Sequence, residues 1–193
     1  MLKTFTMAII FAALSTSNAH ADSAFGIEYG GELPSGSIDI DDGFFTVSSP
    51  PKPHTMFEIY SVKYTAVTGV CYITAISETF ENDKYGIKAT AAYDKLAEAL
   101  DGKYGPNGDA WETLKADALW DDADEFAMSL VQGDREHARW FKPTTDSQKE
   151  FDYVQIAIKA LDRSDTYITL RYENSSLKEE CDELLSAGDN GSL

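Results

Sequence analysis

The spacing of apolar positions changes twice along the chain, from a period of two to a period near 3.6 and back. Phe25-Gly26-Ile27-Glu28-Tyr29 alternates apolar and polar residues and predicts a strand, and Phe44-Phe45-Thr46-Val47 predicts a weaker one. From Phe57 to Tyr64, Tyr60, Val62 and Tyr64 fall on one face while Phe57 and Ile59 fall on the other. Val70 to Ile76 is apolar on both faces, as a strand in the middle of a sheet should be. The interval Thr65 to Gly69 is short enough for a hairpin. Ser49-Pro50-Pro51-Lys52-Pro53 cannot continue a ladder, because proline has no backbone donor, and is expected to be a short extended connector.

Helical spacing then takes over. Tyr85, Ala89, Tyr93, Leu96 and Leu100 recur at intervals of 4, 4, 3 and 4, one stripe of a helix that should end near Asp101, with Gly102 as its cap and Pro106 beyond. A second, shorter helix should start at Asp122, whose capping partner would be Glu125, bury Phe126, Leu130 and Met128, and stop at Gly133. Alternation returns at His137 to Phe141 and is clearest at Val154, Ile156, Ile158 and Ala160. Asp162-Arg163-Ser164-Asp165 then predicts a turn, and Ile168, Leu170 and Tyr172 the inner face of the next strand. Ser176-Leu177-Lys178-Glu179 has the form of a capping box for a last helix, with Leu177, Cys181 and Leu184 on one side. Strands, helices, strands and a helix in that order predict an α+β fold. Its antiparallel sheet should have about six or seven strands, with two or three helices packed mainly on one face.

The first 21 residues stand apart from this pattern. Lys3 is their only charge, Met7 to Leu14 is an apolar run, and Ala19-His20-Ala21 has the small-x-small form of a cleavage site. Together these predict a secretory signal peptide over 1–21 and a single α+β domain over 22–193. The apolar run is shorter than the roughly 20 residues needed to cross a bilayer, and no later stretch is longer, so no membrane span is expected. Export implies the periplasm or the exterior, an oxidising setting in which an even number of cysteines is normally paired. The chain has two, Cys71 on the predicted central strand and Cys181 on the apolar side of the last helix, and a Cys71–Cys181 disulfide is expected.

Charge narrows the choice of partners. The chain has 33 Asp plus Glu against 16 Lys plus Arg, a formal net charge of −17, which becomes −18 once Lys3 leaves with the leader. Such a surface repels phosphate backbones, so no nucleic-acid partner is expected. A hydrophobic fraction of 43% separates the chain from a disordered acidic tail.

Candidate chemistry is sparse. Asp101 to Glu112 has the terminal acids of a calcium loop, but Lys103 and Pro106 stand where a ligand and the turning glycine are required. Asp39, Asp41 and Asp42 could offer carboxylates to a cation, though an acidic turn accounts for them equally. His54 and His137 have no second histidine at ligand spacing. No nucleophile elbow and no phosphate-binding glycine loop occur. No cofactor, metal or catalytic residue is therefore assigned. Trp111, Trp120 and Trp140 near Glu112 and Asp121 suggest an acid–base pair for glycoside cleavage, while acids at a helix start are also expected from the helix dipole.

Several segments resemble those of a group of small exported bacterial proteins with no assigned activity. These are Phe25-Gly26 through Gly30, Pro53-His54 through Phe57-Glu58-x-Tyr60, Gly69-x-Cys71-x-Ile73-x-Ala75-Ile76 and Lys103-Tyr104-Gly105-Pro106. The resemblance covers about the first half of the mature chain and implies an exported bacterial origin, with no mechanism attached. The expected function is that of a non-enzymatic domain binding a basic protein partner, as an inhibitor or accessory factor. The rivals are a carboxylate hydrolase of cell-wall or polysaccharide material and a structural envelope component. Asp109 to Glu125 has seven acids against Lys115 alone. Asp117, Asp121 and Asp124 are the candidate partner-binding residues there, since Asp122 and Glu125 are committed to the helix cap.

Overall fold

The structure is a computed structural model that describes residues 23–106, 109–143 and 151–190. The chain starts with a miniature hairpin, β1 (Ser23–Ala24) and β2 (Ile27–Glu28). The predicted strand over Phe25–Tyr29 is broken here, because Phe25 (φ 58°) and Gly26 (φ 76°) form the turn between the two short strands. The strained turn places the Phe25 ring against Phe57, Tyr60 and Tyr172, with centroids 4.9 to 5.7 Å apart.

Eight further strands form one antiparallel sheet built from two meanders. The first is β3 (Ile38–Asp41), β4 (Phe44–Thr46), β5 (Phe57–Thr65) and β6 (Gly69–Ser77). The second is β7 (Asp109–Leu114), β8 (Arg135–Phe141), β9 (Tyr153–Ala160) and β10 (Thr166–Glu173). The sheet order β3-β4-β5-β6-β10-β9-β8-β7 joins them through β6 and β10. The fold is thus α+β, as the periodicity predicts. The strands beyond the expected six or seven are the two edges, β3 and β7, whose residues are exposed throughout.

Tyr60, Val62, Ile73, Ala75, Leu170, Ile156 and Phe141 share one face of the sheet, and helix α1 (Ile87–Tyr104) packs on it through Ala89, Tyr93, Leu96, Leu100 and Tyr104. Tyr85, expected on the same stripe, precedes the helix and is exposed beside Lys84. The helix also passes the expected stop at Gly102. Its last turn is held by the buried Tyr104 and by a two-bond contact from Arg139 to Asp101, at 2.8 and 3.0 Å, and Gly105 (φ 90°) is the cap. Helix α2 (Phe126–Val131) covers the same face, after a 3-10 turn at Ala123–Glu125. Its inward residues are Ala127 and Ser129, while Phe126, Met128 and Leu130 are half-buried. Phe126 lies on the Cα of Gly86, where a Cβ would come within 2.2 Å of the ring, so only glycine lets α2 meet the start of α1.

The start of α1 is tied to the sheet by Asp83, which is 3% exposed. Its carboxylate accepts from the amides of Lys88 (2.9 Å) and Ala89 (3.0 Å) and from the Thr166 hydroxyl (2.7 Å). Asp83→Asn replaces one of those acceptors by a donor. It is expected to cost about 2 kcal/mol, seen as a lower denaturant midpoint at unchanged slope. An unshifted midpoint would show that the three contacts are dispensable.

Helix α3 (Ser175–Asn190) lies on the opposite face, over β5 and β6. Asn174 accepts from the Leu177 amide at 3.1 Å and so fills the capping role expected of Ser176. A bulge explains how α3 reaches a central strand. Lys63 opposes Tyr72 and Tyr64 opposes Val70, which leaves Cys71 without a cross-strand partner and turns its side chain away from the Ile73 face. Cys71 and Cys181 lie at disulfide-bonding distance with Cα atoms 6.4 Å apart, and Lys63 pairs with Asp182 beside them. Leu177, Cys181 and Leu185 form the inward stripe, with Leu185 against Gly43, while Leu184 is largely exposed. No helix among the described residues is long and apolar enough to cross a membrane.

Candidate functional site

Helix α3 packs over β5 and β6, and among the described residues no helix covers the same sheet face over β7, β8 and β9. Alternation in those strands decides what it presents. Asp109 lies opposite Trp140, Trp111 opposite Ala138, and Trp140 opposite Gln155, so Trp111, Trp140 and Tyr153 project together on the α3 side. They line a concave recess of about 450 Å³ together with Asp109, Glu136, Glu173 and Lys142.

Two of the three rings already hold cations. Trp140 stands edge-to-face with Tyr153, centroids 6.0 Å apart, and the Arg171 guanidinium lies 5.1 Å over the Trp140 ring and 5.6 Å over Tyr72. Arg171 is also paired with Glu173 at 3.0 Å. The Lys142 ammonium sits 5.7 Å from the Tyr153 ring. Trp111 is 51% exposed and receives no cation of this kind among the described residues. A half-exposed Trp ring lining the same recess as the carboxylates of Asp109 and Glu136 is suited to a cationic group, which gains from both the ring quadrupole and the acids. Glu173 also borders a broader groove along α3 that exposes Glu179, Asp182 and Glu183.

The acids chosen from the sequence lie elsewhere. Asp117 and Asp121 are exposed on the connection that leaves β7, while Asp124 hydrogen-bonds Lys84 at 3.0 Å, which holds its carboxyl below the usual range. Asp122 donates its amide to Glu125 at 3.3 Å, as the capping pattern expects. Trp120 lines a separate small cavity with Lys84, Asp124 and Arg163. Glu112 alternates to the α1 face, 3.7 Å from Nε2 of His137. It is therefore on the far side of its strand from Trp111, and the acid–tryptophan grouping suggested for glycoside cleavage is not assembled.

His137 itself is packed between Tyr93 and Phe126, at 4.7 and 5.9 Å, and burial lowers its pKa against the opposing pull of Glu112 and Asp94. Burial also raises the Tyr93 hydroxyl pKa, with the Glu112 charge acting in the same direction. Both belong to the packing beneath α1.

Sequence reading missed the recess because β7 has no clean alternation. Asp109, Trp111 and Thr113 face one side and Ala110, Glu112 and Leu114 the other, and both sides meet water. The available signal was Trp111 itself, a large ring in a polar segment. No family model, curated protein or solved structure matches the chain.

Proposed function

We propose that the protein is an exported binding domain that receives a basic protein partner on the open half of its sheet. The observation that carries this reading is the recess of Trp111, Trp140 and Tyr153 ringed by Asp109, Glu136 and Glu173 on a chain of net charge −17. On this reading the contact is made on the sheet, and Asp117, Asp121 and Asp124, which lie outside the recess, add to the acidic field that speeds encounter and contribute little to the bound state. Export to the periplasm or beyond is supported by the leader pattern of residues 1–21, outside the described residues, and by the bonding distance between Cys71 and Cys181.

The test is calorimetric titration with a short lysine-rich peptide and with its glutamate counterpart. The lysine peptide should bind, more weakly as salt rises, and Trp111→Ala should weaken it roughly ten-fold because the recess ring that holds no cation among the described residues is lost. Equal binding of the two peptides, or binding only of a neutral oligosaccharide, would contradict the reading.

A further inference from the structure

The recess has a neighbour that a side-chain ligand alone would leave unused, the edge of the sheet at β7, which pairs with no further strand among the described residues. Strand β7 pairs with β8 over all six of its residues, Asp109↔Trp140 to Leu114↔Arg135, with no shift in register. The ladder continues to Lys115, whose amide donates to the Asp134 carbonyl at 2.9 Å. In an antiparallel pair, hydrogen-bonded and non-hydrogen-bonded positions alternate. Lys115, Thr113, Trp111 and Asp109 therefore direct their backbone groups to β8, and Ala110, Glu112 and Leu114 direct theirs outward. The open edge offers three N–H and three C=O groups in straight register.

Edges of this kind are normally blunted by a bulge, a proline, a lysine or extreme shortness. The opposite edge is blunted in this way, since β3 is four residues long and breaks register between Asp39 and Asp41. Strand β7 has no bulge, proline or lysine between Asp109 and Leu114; its charged residues there, Asp109 and Glu112, are both acidic, and Lys115 stands one position beyond its end. A second copy would bring another net charge of −17 to this edge, and that repulsion argues against it as the occupant. An added strand would place its side chains beside Asp109 and Trp111 on the recess side, and beside Glu112 and Leu114 on the other. Lysine or arginine is favoured on the recess side, next to Asp109 and over the Trp111 ring, and an apolar residue on the other side, next to Leu114.

We infer that β7 is the docking edge for an extended segment of the partner, rich in basic residues alternating with apolar ones, which adds antiparallel or parallel as a further strand and delivers a cationic side chain to the recess. This inference rests on the binding reading above and adds the backbone as a second point of recognition.

The experiment uses two peptides of equal charge, one of about nine alternating lysines and valines, the other with proline at every third position so that it cannot pair as a strand. Amide exchange followed by NMR on the full chain should show Ala110, Glu112 and Leu114 protected at least ten-fold by the first peptide and unchanged by the second, which should also bind about ten-fold more weakly. Glu112→Pro removes an outward N–H, leaves the β8 ladder intact, and should abolish the difference between the peptides; Glu112→Gln should keep it. If Glu112→Pro does not fold, the wild-type exchange decides alone. Equal affinity of both peptides with no new protection would overturn the edge and leave the recess standing. Binding of neither peptide would remove the recess as well. Protection of these amides that rises with protein concentration and no peptide would identify a second copy as the occupant and overturn the inference.

Discussion

Replacing Leu96 with aspartate is expected to leave no soluble folded protein, whereas Lys95→Ala, one residue earlier, should change stability by less than about 0.5 kcal/mol. Leu96 is 7% exposed and belongs to the cluster that α1 shares with β8, β9 and β10, while Lys95 faces water. A carboxylate at Leu96 would be buried among aliphatic and aromatic side chains. Its desolvation, added to the lost packing, approaches the 5–15 kcal/mol that is the whole stability of an ordinary domain. Leu96→Ala isolates the packing part and should cost about 2–5 kcal/mol by chemical denaturation. Soluble expression of both aspartate and alanine variants with wild-type midpoints would mean that α1 does not pack on this face.

Loss of the Cys71–Cys181 link is expected to be nearly as damaging. The two residues are 110 apart in sequence, and closing a loop of that length removes enough unfolded-chain entropy to stabilise the fold by about 4 to 5 kcal/mol. Among the described residues, the other contacts that fasten α3 are chiefly the pairing of Lys63 with Asp182, the bond from the Ser175 amide to the Asp152 carboxylate and the packing of Leu177 and Leu185. Cys71→Ala combined with Cys181→Ala should therefore lower the denaturant midpoint sharply and raise amide exchange throughout α3 before the sheet is affected. Both sulfurs are buried, so thiol reagents should react only after opening. Two free thiols in protein recovered from its native compartment would remove this prediction.

The parts of the fold that were legible in the sequence are those with one wet face and one dry face. The alternation at Val154 to Ala160 and the stripe of Ala89, Tyr93, Leu96 and Leu100 were readable because burial is sorted by face at each. Strands β3 and β7 were not, since an edge exposed on both faces gives no such sorting. The end of α1 was misplaced because Gly102 is an ordinary helical residue there, and the contact from Arg139 to Asp101, made across 38 residues, carries the helix one turn further. Local capping rules cannot contain a contact of that range. The bulge at Cys71 was equally hidden, although it decides which side of the sheet the cysteine faces. For the site, acid density pointed to Asp117 and Asp121 on the connection after β7 and to Asp124 in the 3-10 turn before α2. The recess depends on cross-strand register, which brings Trp111 and Trp140 together from segments that share no local pattern.

The location of the basic ligand is tested most directly by the three tryptophan indole N–H signals in a nitrogen–proton NMR spectrum. Trp111 and Trp140 line the recess, while Trp120 lies in the separate cavity near Asp124 and serves as an internal reference. Titration with the alternating lysine–valine peptide should shift the Trp111 and Trp140 signals along one saturating curve and leave Trp120 in place. A shift of Trp120 alone, or of none of the three while the peptide binds, would put the partner on the Asp117–Asp124 loop or elsewhere and contradict the recess as the binding site.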